Sequence, residues 1–186
     1  MIRRYFEHMP VSVRRSEEGS EEQAPIVLDC RFATFTGVYD LGWDCYERID
    51  PHAFDDTVGD DVRILFNHDT GAVLGRTAAN TAEIKIMPEG LDGSVIINPD
   101  DRAALDVAAR VKRGDITGCS IGFDIISDHM EQRDSKTGWV IDKIKLYECS
   151  ICTFPAYVET SAKSRGMGAE RVKAFKYRMK ERLKDA

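Results

Sequence analysis

Three polar residues in apolar surroundings carry between them the parts of a nucleophilic hydrolase: Ser120, His68 and Glu148. Hydrolysis through a covalent intermediate needs a hydroxyl or thiol, a base within hydrogen-bond reach, and a third group that orients the base. Ser120 lies at the centre of Gly118-Cys119-Ser120-Ile121-Gly122-Phe123, whose β-branched and aromatic content suits a buried strand. Glycine inside a strand often marks a bulge or the close approach of a ligand or second backbone, so Gly118 and Gly122 leave room beside the hydroxyl. The same serine would equally serve as a small filler in a crowded core. Of the four histidines, His8 sits in a charged N-terminal segment, His52 follows Pro51 in a turn, and His129 lies in a polar stretch. His68 ends an apolar strand, immediately before Asp69-Thr70-Gly71, where it is either a base or a strand-end cap. Glu148 interrupts the mostly apolar stretch 144–154. A carboxylate there faces solvent on the outer side of a sheet or is buried and paired.

The elements that must position these groups are mostly strands. Apolar, β-branched runs at 26–35, 43–49 and 62–66 are separated by the Tyr39-Asp40-Leu41-Gly42 turn and by a break at Asp50-Pro51-His52-Ala53-Phe54. A further strand follows His68 at 72–77, and 81–87 pairs with 91–97 across Pro88-Glu89-Gly90. Asn98-Pro99-Asp100-Asp101 opens a helix with an apolar stripe at Ala104, Leu105, Ala108 and Val111, closed by Lys112-Arg113-Gly114. The Ser120 strand comes next, then a polar excursion over 127–138, then strands at 139–147 and 148–154 stopped by Pro155. The spacing predicts six to eight strands with one central helix and a tail helix: a mainly β, α+β chain forming a β-barrel or half-open sheet with helices.

At 186 residues, 42% hydrophobic and 31% charged, the composition is that of one globular domain with appended tails. No apolar run approaches the roughly 20 residues that cross a bilayer. The N-terminus, basic but with no apolar core behind it, does not read as a signal peptide. Five scattered cysteines point to a reducing compartment, and Cys149-Ser150-Ile151-Cys152 reads as two packed thiols rather than a zinc or redox site. No cofactor loop or metal-ligand spacing is present, and His68-Asp69 has no second histidine nearby. The net charge of −6 is uneven: nine basic and three acidic residues in 163–186 give +6, leaving −12 on the rest. Such a body does not read as a specific nucleic-acid binder, although the basic tail could touch a polyanion. Three regions are expected: a mobile arm at 1–24, the working domain at 25–162, and a basic C-terminal helix at 163–186 with Val172, Phe175, Met179 and Leu183 on one side.

Four blocks carry a family resemblance: Phe66-Asn67-His68-Asp69 with Gly75-Arg76; Ser120-Ile121-Gly122-Phe123; Glu148-Cys149-Ser150 through Pro155-Ala156; and the earlier Ala53-Phe54, with His52 where the family carries glycine. In this order and spacing the chain resembles the prohead (capsid maturation) proteases of HK97-type tailed phages, over about residues 26–160. The resemblance implies a serine endopeptidase with an assemblin-like β-barrel surrounded by helices, acting without cofactor. It implies Ser120 as nucleophile, His68 as base and Glu148 as the group orienting the imidazole. Arg76, or a backbone N–H near Gly122, would support the oxyanion. Asp69 is a rival orienting group, although neighbouring strand residues point apart; by the same parity Cys119 should face away from Ser120. Substrates would be the major capsid protein and scaffold, the enzyme a homodimer, and the place the assembling prohead in the host cytoplasm. The arm and tail would tether the enzyme or be self-cleaved. The alternative is a catalytically silent scaffolding protein of the same fold.

Overall fold

The computed structural model describes residues 1–6, 11–15, 25–42 and 44–153. Eleven strands and one α-helix are formed there: β1 (Ile2–Phe6), β2 (Val11–Arg15), β3 (Ile26–Thr34), β4 (Tyr39–Gly42), β5 (Cys45–Ile49), β6 (Arg63–Phe66), β7 (Asp69–Arg76), β8 (Ala82–Met87), β9 (Gly90–Ile96), α1 (Arg102–Arg113), β10 (Gly118–Arg133) and β11 (Lys136–Cys152). They make two sheets. One runs β1-β10-β11-β5-β4, with β6 also on β11 and β7 on β6; the other runs β2-β3-β9-β8.

The long strand β11 organises the first sheet. One edge pairs antiparallel with β10 from Gly118↔Cys152 to Arg133↔Lys136. The other edge is shared by two parallel partners, β5 opposite residues 137–141 and β6 opposite residues 148–151. Between them the chain leaves the sheet at Asp50, which caps a 3-10 turn, Pro51–Phe54, that buries Ala53 and Phe54. The proline cannot donate to a ladder, so this is where pairing stops. The core lies between the sheets: Leu28, Phe32, Leu91 and Val95 on one side, Ile121, Phe123, Ile144 and Ile151 on the other. Helix α1 adds Ala104, Val107, Ala108 and Val111. Its C-terminal end follows the sequence signal, Gly114 closing it at φ 85°, whereas the start falls later than the Asn98-Pro99 signal. Asp101 is the cap, accepting from the N–H groups of Ala103 and Ala104 at 2.9 and 3.1 Å, and Pro99 lies ahead of the helix.

The expected barrel is corrected by this topology: two open sheets face each other, and among the described residues a single α-helix packs beside them rather than helices surrounding them. The polar excursion over 127–138 is also a strand pair, turning at Asp134-Ser135, both at positive φ. Its polar residues find cross-strand partners: Trp139 donates to Asp128, and Tyr46 and Arg48 donate to Glu131. Within the expected arm, β1 and β2 join one sheet each. The expected tail helix at 163–186 lies outside the described residues.

Candidate active site

His68 is placed by a two-residue hairpin loop. Phe66 pairs with Asp69, and Asn67 and His68 between them stand at φ 54° and 60°. Positive φ at both loop residues is the geometry that matches strand twist in a tight hairpin, and Asn and His tolerate it better than most side chains. The loop is pinned to β11. Asn67 N–H donates to the Ile151 carbonyl at 2.9 Å, its Nδ2 donates to Thr153 Oγ1 at 3.2 Å, and its Oδ1 accepts from Thr153 N–H at 2.9 Å. Those contacts turn the imidazole inward. His68 is the buried histidine among the described residues, whereas His52 and His129 are exposed and contact Asp55 and Asp142. His8 lies outside the described residues.

Glu148 meets His68 because β6 docks parallel on β11 beside it, with Arg63 opposite Glu148. His68 Nδ1 lies 2.5 Å from Glu148 Oε1, with both side chains at most 5% exposed. Of the two readings open for Glu148, buried and paired is the one realised. Its second oxygen, Oε2, accepts from Ser150 Oγ at 2.7 Å. Ser150 Oγ in turn accepts the His68 backbone N–H at 3.2 Å.

Ser120 faces this group from the neighbouring strand. It is the direct partner of Ser150, and Gly122 is the partner of Glu148. Residues directly opposite in an antiparallel pair project to the same face, so Ser120, Gly122, Glu148 and Ser150 share one side of the sheet. Ser120 is fully buried. At Gly122 a side chain fits only if Glu148 or the strands shift, since a Cβ there would overlap Glu148 Oε1 and lie 2.9 Å from its Cδ. The space expected beside the serine is thus filled, at Gly122, by the carboxylate that holds His68.

The remaining candidates lie apart from this cluster. Arg76 is half-exposed with its guanidinium on Asp61, Nε to Oδ1 at 2.7 Å and Nη2 to Oδ2 at 2.5 Å. The row Gly122–Glu148–Arg63–Arg76 puts it three strand spacings, about 14 Å, from the Ser120 strand, so the structure does not bring it to the site. Asp69 Oδ1 caps its own turn by accepting from Gly71 N–H at 2.8 Å. Cys119 and Cys149 occupy the opposite face of the sheet. A hydrogen bond with Cys30, together with burial, holds the Cys119 thiol well above its ordinary range. Burial, with the Glu148 charge nearby, does the same for Cys149. Neither is poised as a thiolate nucleophile. Among the described residues no group of three or more His, Cys, Asp or Glu is arranged to hold a metal ion. Ser150 received no role from sequence, although it stands in the Glu148-Cys149-Ser150 block that carries the family resemblance and, two residues beyond Glu148, shares its face of the strand.

The caudovirus prohead serine protease profile matches residues 11–176. The chain belongs to that family. It is therefore a serine protease of the phage prohead type. No curated protein sequence matches it. Among solved structures it is similar to the bacteriophage T4 capsid assembly protease, gp21, with a TM-score of 0.52, 10% identity, and coverage of 83% of this chain and 97% of that one. At that identity the likeness speaks for the fold alone. No helix of the described residues is long and apolar enough to cross a membrane.

Proposed function

We propose that this prohead protease cleaves capsid protein, scaffold protein or both within the assembling prohead, with Ser120 as nucleophile, His68 as general base and Glu148 as the orienting acid. The observation that carries the reading is the buried His68 Nδ1–Glu148 Oε1 contact, on the sheet face to which Ser120 belongs. A carboxylate at Nδ1 keeps that nitrogen protonated and leaves the Nε2 lone pair to take a proton. Ser120 Oγ attacks the scissile carbonyl while its proton passes to His68 Nε2. The imidazolium, stabilised by Glu148, then protonates the leaving amine. Water then takes the amine's place: His68 Nε2 accepts its proton as it attacks the acyl carbon, and returns that proton to Ser120 Oγ as the ester bond breaks.

Ser120 is sealed in this structure, and the outer edge of β10 is taken by β1, with Tyr5 opposite Ser120. A peptide therefore reaches the hydroxyl when a covering segment moves aside. The test is co-expression with the cognate major capsid protein and mass analysis of the products. Wild type is expected to shorten the capsid protein, and Ser120→Ala and His68→Ala, both folded, to leave it intact. Undiminished cleavage by folded Ser120→Ala overturns the assignment.

A further inference from the structure

We infer that Ser150 is a positioning residue for the proposed triad, locking the base and its carboxylate together, and that it is not a second nucleophile. The inference rests on the Ser120–His68–Glu148 reading. Ser150 Oγ stands at the junction of two contacts: it donates to Glu148 Oε2 at 2.7 Å and accepts the His68 backbone N–H at 3.2 Å. With His68 Nδ1 on Glu148 Oε1 at 2.5 Å, these bonds close a ring running from the His68 backbone through the serine hydroxyl and the carboxylate to the imidazole. All three residues are buried. A hydroxyl carries one proton, and here Glu148 takes it.

The ring solves a physical difficulty. Glu148 has three side-chain torsions and His68 sits on a two-residue loop at positive φ, so neither orientation is fixed by its own backbone. Ser150 is on a central strand between Ser120 on β10 and Leu65 on β6, which makes it a rigid reference for both. Holding one carboxylate oxygen fixes where the other points. Holding the His68 N–H adds a bond at the histidine itself to the Asn67 contacts that pin the loop. The ring also distinguishes the two facing serines: Ser150 has its proton committed to a carboxylate, whereas in the proposed triad Ser120 passes its own to His68 Nε2.

Two measurements on the full chain test this. In proton NMR, the His68 Nδ1–H in contact with a buried carboxylate is expected to give a downfield resonance that disappears in Glu148→Gln. Ser150→Ala is expected to shift or broaden it with the melting curve still cooperative, and Ser120→Ala to leave it in place. With a fluorophosphonate probe, Ser150→Ala is expected to lower the maximal inactivation rate about 10- to 100-fold, the scale of a misplaced catalytic group, with the probe's half-saturating concentration unchanged. Should the alanine variant fail to fold, Ser150→Cys, nearly the same shape but a weak donor, is expected to show both effects in milder form. An unmoved resonance with wild-type inactivation in folded Ser150→Ala or Ser150→Cys overturns the positioning role and leaves the triad standing. Undiminished adduct formation in Ser120→Ala overturns the triad reading instead. An adduct mapped to Ser150 in wild type overturns both.

Discussion

Replacing Gly122 with alanine puts the site's geometry to a test in which the sign of the stability change decides. In an unobstructed strand, glycine to alanine stabilises by about 0.5–1 kcal/mol, because alanine has less backbone freedom to lose. At Gly122 the added Cβ meets the Glu148 side chain, overlapping Oε1 and lying 2.9 and 3.0 Å from Cδ and Cγ. Glu148 is a flexible side chain and would ordinarily swing away at little cost. Here it is held at both ends, Oε1 by His68 and Oε2 by Ser150, at 2.5 and 2.7 Å. Relieving the overlap moves the carboxylate by about 1 Å and gives up at least one hydrogen bond to a charged group, about 1.5–3 kcal/mol. The alternative, easing β10 and β11 apart, falls in the about 1–3 kcal/mol range of overpacked cores. Gly122→Ala is therefore expected to destabilise by about 2 kcal/mol, lowering Tm by about 4–8 °C for a domain of this size. A carboxylate shifted by about 1 Å misaligns His68 and lowers the rate of capsid-protein cleavage by about 100-fold. Calorimetry and a timed cleavage assay on the same preparation read both. A Gly122→Ala protein that is more stable than wild type and cleaves at the same rate refutes the claim that Glu148 is locked over Gly122.

Other perturbations separate the site from its scaffold. Asn67→Ala removes the two side-chain contacts to Thr153 and the residue best suited to φ 54°, so it is expected to cost about 1–2 kcal/mol and to slow cleavage through the adjoining His68. Gly138→Ala drives a Cβ into the Tyr46 ring, overlapping Cζ, and is expected to lower Tm without changing the cleavage rate per folded molecule. Glu131 takes a two-pronged contact from Arg48 and a hydrogen bond from Tyr46, which hold its carboxyl at about 2 against an ordinary 4.5. A depressed carboxyl stabilises the fold fully above the unfolded value and loses that contribution as pH falls from about 4.5 toward 2. Glu131→Gln is thus expected to cost about 1 kcal/mol at neutral pH and to flatten the fall of Tm across that acid window, as followed by circular dichroism.

The parts of this molecule written in local chemistry were legible in its sequence. Gly114 closes α1 where expected because a helix stop depends on positive φ at one residue. The start was legible only to within the stretch Asn98-Pro99-Asp100-Asp101, in which Asn98 and Asp101 both offer a capping oxygen and the helix takes Asp101. Strand parity separated Ser120 from Cys119, and the fold keeps them on opposite faces. The His68–Glu148 contact was not readable from spacing, because it spans 80 residues and depends on β6 docking parallel against the far half of β11. A short apolar strand such as Arg63–Phe66 carries no local mark of which strand it will join. The resemblance to a family supplied that pairing instead. The hairpin over 127–138 was hidden for a different reason. Asp128, Glu131 and Gln132 read as loop, yet Trp139, Arg48 and Thr137 satisfy each of them across the strands. Charge pairing, unlike apolar alternation, leaves no periodic trace. The barrel expectation failed because strand count fixes neither closure nor the division into two sheets.

The central claim is that Ser120 is the hydroxyl that forms the acyl-enzyme, and the most direct measurement is the site of a covalent serine-directed adduct. Wild-type chain treated with a fluorophosphonate during capsid-protein cleavage, then digested and mapped by tandem mass spectrometry, is predicted to carry one adduct, on Ser120. The adduct is predicted to vanish in Ser120→Ala and to form far more slowly in His68→Ala. An adduct on Ser150 or any other residue, or capsid-protein cleavage that continues unchanged in Ser120→Ala, would contradict the account.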